Sequence, residues 1–196
     1  VVARNRRIGV SLVDFTGWKY DCGVRNVIKY LREGYKTVRH VNERLANEAG
    51  IPVSIRVTTV KPGGTVPKLA GRTSGASHPT FRHILRRVNV PQDSPVDRVM
   101  SDLTPEKSVY TPNTHVYSFP VEQGPAEPAT EVSIWEQAFN VILLQREWAD
   151  NAVSNTLYFN EHEKGQLEAV LAHCAPYIKS LSLLPHTDDG VFEQMP

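Results

Sequence analysis

Residues 53–66 read VSIRVTTVKPGGTV, and this stretch decides the fold. Its first eight residues are rich in β-branched side chains and predict a strand over 53–60. Lys61-Pro62-Gly63-Gly64-Thr65 then breaks the strand, and a short helical turn is expected over 66–70. Glycines at such a bend let backbone N–H groups approach an anion closely, and a helix start adds unpaired donors. Pro62, Gly63, Gly64, Thr65 and Val66 are therefore candidate phosphate-binding residues, with the Thr65 hydroxyl as an extra donor. The competing reading is a strand-to-helix turn that needs glycine torsions. The bend is not a Walker A loop, because Lys61 precedes the glycines and no GK[ST] follows them.

Working outward, residues 7–15 read as a buried strand. Val24, Val27, Ile28, Leu31, Tyr35, Val38, Val41 and Leu45 then mark one helical stripe over 24–47, interrupted at Gly34. Gly50-Ile51-Pro52 closes that helix. Beyond the bend, 71–80 (GRTSGASHPT) is a loop and 81–90 a strand. Ser94-Pro95 caps a helix over 96–103. A strand over 114–121 and a loop over 122–130 follow. A helix over 133–148 starts at Ser133, with Glu136 three residues later. A strand over 152–159, a helix over 166–174 and a strand over 178–184 complete the order. Strands alternating with helices predict an α/β fold with a mostly parallel sheet.

The chain has 196 residues, 40% of them hydrophobic, enough for one globular unit with a real core. A net charge of +1 implies no polyelectrolyte attraction to nucleic acid, and leaves room for a small anionic ligand. Cys22 and Cys174 stand far apart, so neither a disulfide scaffold nor a cysteine-rich zinc site is expected, and a reducing, cytoplasmic setting fits. No apolar run reaches membrane length. The chain opens on VVARNRRIGVS and closes on GVFEQMP, and residues 1–196 read as a single segment cut at both ends from a longer polypeptide.

Six stretches in collinear order carry a family resemblance. They are RNRRIGVSL (4–12), VTTVKPGGTVPKLAG (57–71), SGASHP (74–79), RHILRRVNV (82–90), WADNAVSNTL (148–157) and IKSLSLLPH (178–186). Together the set resembles the ribonucleotide reductases, specifically the monomeric adenosylcobalamin-dependent (class II) branch. The resemblance implies a ten-stranded α/β barrel of two parallel halves, of which this chain is similar to most of the second. It matches the family's PSGT-like substrate-phosphate loop to Pro62, Gly63, Gly64, Thr65 and Val66. Gly63 departs from the serine or threonine of many members, so one hydroxyl donor is missing and the backbone amides and Thr65 would carry the binding.

The family's radical-bearing cysteine lies in an Asn-x-Cys-x-Glu motif that does not occur here. Neither tyrosine of the family's KTxYY-like relay has a counterpart in 179–183, and Gly190-Val191-Phe192 does not supply a glycyl-radical motif. The resemblance thus implies adenosylcobalamin as radical source, with His78, Pro185 and His186 as candidate cofactor contacts. It further implies an oxidoreductase that makes deoxyribonucleotides. Cobalt–carbon homolysis would generate a cysteine thiyl radical, and the ribose 2′-hydroxyl of a ribonucleoside triphosphate would be replaced by hydrogen. The expected partners are the remainder of the reductase chain and a thioredoxin-type reductant, with no nucleic acid or membrane. This segment alone would be inactive. The alternative is a non-catalytic nucleotide- or anion-binding α/β module derived from the same family.

Other residues have plainer readings. His78 can equally anchor its loop. Arg82, Arg86 and Arg87 are expected to face water. Asp150 and Asn151 read as turn and capping residues. Trp135, Phe139, Ile142, Leu143 and Trp148 read as the core face of a helix. Asn160-x-His162-x-x-Gly165 nearly matches a cobalt-ligating DxHxxG signature, but the Asp is missing, and His162 is expected on a surface loop. Glu161, His162 and Glu163 point different ways and should not share a metal. Cys22 and Cys174 read as small buried thiols.

Overall fold

The apolar run after Arg6 forms strand β1 (Arg7–Ser11). Asp14, at φ 56°, turns the chain into helix α1 (Phe15–Cys22), and Gly23, at φ 76°, separates α1 from α2 (Val24–Glu48). A computed structural model describes residues 6–64 and 66–186 of the chain, so Thr65 and the two termini lie outside the described residues. Helix α2 follows the expected stripe, with Val27 and Leu31 buried. A Cβ on Gly34 would stand 3.3 Å from the Trp148 ring, so this glycine marks a close approach rather than a break.

The strand expected over 53–60 is confined to β2 (Arg56–Thr59) and pairs parallel to β1, with Val10 opposite Thr58 and Ser11 opposite Thr59. Helix α3 (Val66–Leu69) is a single turn. The chain then divides into two compact units, one formed by 6–82 with 123–186 and the other by 83–122.

The second unit holds β3 (His83–Pro91), α4 (Pro95–Val99), a 3-10 turn, β4 (Glu106–Lys107) and β5 (Thr114–Glu122). Its strands are antiparallel in the order β3-β5-β4, registered from His83 opposite Glu122 to Pro91 opposite Thr114. The parallel pattern therefore does not extend here. Asp97 organises this unit, accepting from the Tyr117 hydroxyl at 2.8 Å and the Asp93 amide at 3.0 Å, with His115 Nδ1 at 2.7 Å. The His115 contact, foremost, holds the Asp97 carboxyl below the usual carboxylate range.

In the first unit, α5 (Ile134–Glu147) begins where expected, with Ser133 Oγ accepting from the Glu136 amide at 3.2 Å. Strand β6 (Leu157–Phe159), a 3-10 turn, α6 (Leu167–Cys174) and β7 (Leu183–Pro185) follow. Strands β6 and β7 are parallel, and Val60 bridges Val153 in parallel. The two parallel pairs, β1-β2 and β6-β7, are thus linked by this single bridge. Phe15, Val27, Val60, Ile134, Leu144 and Val153 fill the core at 0–1% exposure. Each such side chain contributes about 1.5–3 kcal/mol of burial.

Two expectations, about α5 and the turn after it, need correction. Trp135 is 37% and Phe139 52% exposed, one turn apart on the outer face, while Ile134, Ala138 and Val141 face the core. The Trp135 indole instead donates to Gln166 at 2.7 Å and packs edge-on against His173. Asp150 and Asn151 do more than turn the chain. Asp150 accepts from the Tyr35 hydroxyl and the Val57 amide, each at 2.9 Å, and the Asn151 side chain donates to the carbonyls of Ile8 and Thr58.

Candidate functional site

The loop that follows β2 has two arms. The first, 61–66, carries the candidate phosphate residues. Lys61 N–H donates to Ser11 Oγ at 2.9 Å, and the Gly63 carbonyl accepts from Ser74 Oγ at 3.2 Å. No hydrogen bond among the described residues occupies the Gly63 or Gly64 amide. Gly63 sits at φ 52°, where a Cβ would lie 3.1 Å from the Pro67 ring. A serine or threonine would be strained there, which accounts physically for glycine at this position. A Cβ on Gly64 would meet nothing within 4 Å. Val66 is exposed and opens the one-turn α3, too short to present a substantial helix terminus.

The second arm, 73–80, is fastened from below. Asp14 Oδ1 accepts from Thr73 Oγ1 at 2.7 Å and from the Thr73 amide at 3.2 Å, and Asp14 Oδ2 pairs with Arg72 at 3.3 Å. The Phe15 amide donates to the Gly75 carbonyl at 3.1 Å. Gly75, at φ 47°, is obligatory, since a Cβ would fall 2.6 Å from the Lys61 carbonyl oxygen of the first arm.

His78 is buried, and both ring nitrogens are engaged. Nδ1 lies 2.9 Å from the Glu127 carbonyl and Nε2 3.0 Å from Asn140 Nδ2. Asn140 Oδ1 accepts from Lys19 Nζ at 3.0 Å, which turns the amide NH2 toward His78. The imidazole is therefore neutral, donating through Nδ1 and accepting at Nε2, and burial pushes its pKa down. It has no nitrogen to offer a cofactor, so the loop-anchoring reading is the one this geometry supports.

Between these arms lies a cavity of about 220 Å³. Its wall takes Pro62 from the first arm, Ser77, His78 and Thr80 among others from the second, Gln123, and residues 154–156 and 158. It contains no Asp, Glu, Lys or Arg. Ser154, Thr156 and Tyr158 alternate with the buried Val153 and Leu157. That alternation is present in VSNTLY, but the sequence alone does not mark these residues as lining a site.

The other candidate cofactor residues are elsewhere. Pro185 ends β7 and is exposed. The His186 amide donates to the Phe159 carbonyl at 2.8 Å, and its ring tilts on Phe81 with centroids 5.3 Å apart. No group of three or more metal-ligating side chains occurs among the described residues. Glu163 is buried, accepting from the Ile134 and Asn160 amides, and His162 is exposed. Cys174 is buried, which pushes its thiol pKa up, and Cys22 is half-buried. No described helix is long and apolar enough to cross a membrane.

No family model matches the chain. It is 32% identical over 201 residues to the adenosylcobalamin-dependent ribonucleoside-triphosphate reductase of Euglena gracilis, covering 100% of this chain and 28% of that protein. It is 30% identical over 228 residues to the protein of the same name from Lactobacillus leichmannii, covering 31% of it. In fold it matches a crystal structure of a B-12 dependent (class II) ribonucleotide reductase with a TM-score of 0.87 at 29% identity, over 98% of this chain and 31% of that one. The chain thus spans less than a third of the length of these relatives.

Proposed function

We propose that this chain, which matches a continuous portion of the adenosylcobalamin-dependent ribonucleoside-triphosphate reductases in sequence and fold, supplies the substrate-phosphate wall of such an enzyme. The observation that carries the reading is the pair of amides at Gly63 and Gly64 that have no partner among the described residues, on a bend whose Pro62 lines an uncharged, hydroxyl-rich cavity. Amides and hydroxyls can hold phosphoryl oxygens without a cation. Thr65 adds a hydroxyl to the same bend.

The role of the chain is positioning. Replacing a ribose 2′-hydroxyl with hydrogen requires the sugar to be fixed to within angstroms and shielded from water, and holding the phosphate tail supplies much of that alignment. The balance of the reaction takes two electrons and two protons from a dithiol, the part assigned to a thioredoxin-type reductant, and releases water. Neither Cys22 nor Cys174 lines the cavity, so the reacting thiols belong to the remainder of the protein. When bound, adenosylcobalamin supplies a cobalt–carbon bond that cleaves homolytically. The exposed Pro185 and the Phe81–His186 pair fit the apolar contact a corrin needs, and would hold it by packing rather than by ligating cobalt.

In the full-length protein, Gly64→Val and Thr65→Val should each raise the nucleoside triphosphate KM by about tenfold or more, as expected for lost donors to a charged group. Unchanged KM in both rejects the phosphate assignment. Nucleotide binding without turnover favours the non-catalytic module.

A further inference from the structure

The 153–159 segment carries a pattern that the phosphate bend does not explain. Val153 and Leu157 are 1% exposed and face the core, while Ser154, Thr156 and Tyr158 are half-buried and line the cavity. An alternation of this kind presents one chemistry to the core and another to the opposite side. Ser154, Thr156 and Tyr158 bring hydroxyls to that lining beside the amide of Asn155, and no hydrogen bond among the described residues engages any of the three hydroxyls. Their neighbour Asn155 is different, since its amide is committed to the carbonyls of Val153 and Ser180. Across the cavity lining, Ser77 and Thr80 likewise have hydroxyls with no partner among the described residues.

Hydroxyls can all rotate to donate. A wall on which every uncommitted group can turn donor suits a ligand that only accepts, and phosphoryl oxygens are such acceptors. A ribose hydroxyl brings a donor of its own and so makes less use of such a wall. Resting on the phosphate reading of the bend, we infer that Ser154, Thr156 and Tyr158 form a second wall that binds the phosphate tail of the substrate. Two walls explain how an uncharged cavity orients a polyanion: the bend offers amides, and the segment before and within β6 offers hydroxyls. The segment is rigidly placed for this, with the Tyr158 amide donating to Gln137 Oε1 at 2.9 Å and the Tyr158 carbonyl accepting from Gln137 Nε2 at 2.8 Å.

The test is calorimetric titration of the full-length protein with inorganic tripolyphosphate, with a ribonucleoside triphosphate and with the parent nucleoside. The variants are Ser154→Ala with Thr156→Val, Tyr158→Phe alone, Thr156→Ser, and Gly64→Val for comparison. The double variant should weaken tripolyphosphate and nucleotide binding alike by about tenfold or more, and Tyr158→Phe by a smaller factor. Thr156→Ser, which keeps the hydroxyl, should bind as wild type. Tyr158→Phe is nearly isosteric and keeps the question open to measurement if the double variant folds poorly. Unchanged tripolyphosphate affinity in the wall variants, with Gly64→Val still weakened, overturns this wall and leaves the bend. Weakened wall variants with Gly64→Val unchanged keep the wall and overturn the bend. Loss confined to the nucleoside assigns the hydroxyls to ribose and overturns the inference. No tripolyphosphate binding by the wild type overturns both.

Discussion

The two arms of the 61–80 loop are neighbours in sequence and opposites in construction. The 73–80 arm is mostly buried, and Thr73, Gly75 and His78 are each tied to residues from other elements. The 61–66 arm is largely exposed, and its Gly63 and Gly64 amides are left without partners among the described residues. On the proposed function, the difference separates scaffold from site. Folding satisfies the polar groups that fix geometry, and leaves open those a ligand will complete.

The contrast can be broken most severely at Asp14. Asp14→Ala removes the acceptor of Thr73 and the partner of Arg72, leaving buried donors unpaired. It should cost about 3 kcal/mol by denaturant unfolding and weaken nucleotide binding, because the pinned arm no longer sets the cavity. Next, Gly75→Ala places a methyl against the Lys61 carbonyl at positive φ, for about 2 kcal/mol of strain. If the arms are coupled as described, this variant moves the free arm, and nucleotide affinity falls with stability. A stability loss with affinity intact would show that the arms are independent. Ser133→Ala serves as a control away from the loop. It removes the α5 cap for about 1 kcal/mol and should leave nucleotide binding unchanged.

The mildest perturbation is pH. Burial lowers the folded-state pKa of His78 below its unfolded value, so the unfolded chain takes up the proton first as pH falls. The stability contribution of His78 is full above about pH 6.5 and declines as pH drops below that value. Unfolding measured between pH 7.5 and 5.5 should show this decline. Asn140→Asp should flatten it, because a carboxylate at Nε2 favours the imidazolium.

Local chemistry was legible in the sequence and partner choice was not. The α5 start was readable because the Ser133 hydroxyl accepts from the amide of Glu136, three residues on. Helix α1 went unread, since its eight residues follow a left-handed Asp14 and carry no clear stripe. The strands expected over 152–159 and 178–184 shrink to β6 and β7, because the Asn155 side chain takes up Ser180 and Ser182 backbone groups that a longer ladder would use. The direction of β3 against β5 depends on how the chain returns, which residue type does not encode. Of the site, the bend was legible from its glycines. The hydroxyl alternation at 154, 156 and 158 was equally present, but only the burial of Val153 and Leu157 gives it meaning.

The most direct measurement uses protein labelled with 15N-glycine and titrated with tripolyphosphate. Its 12 glycines include solvent-facing controls such as Gly50 and Gly165. The amide resonances of Gly63 and Gly64 should shift saturably, with those controls unmoved. Saturable binding that leaves both amides where they were would contradict the account.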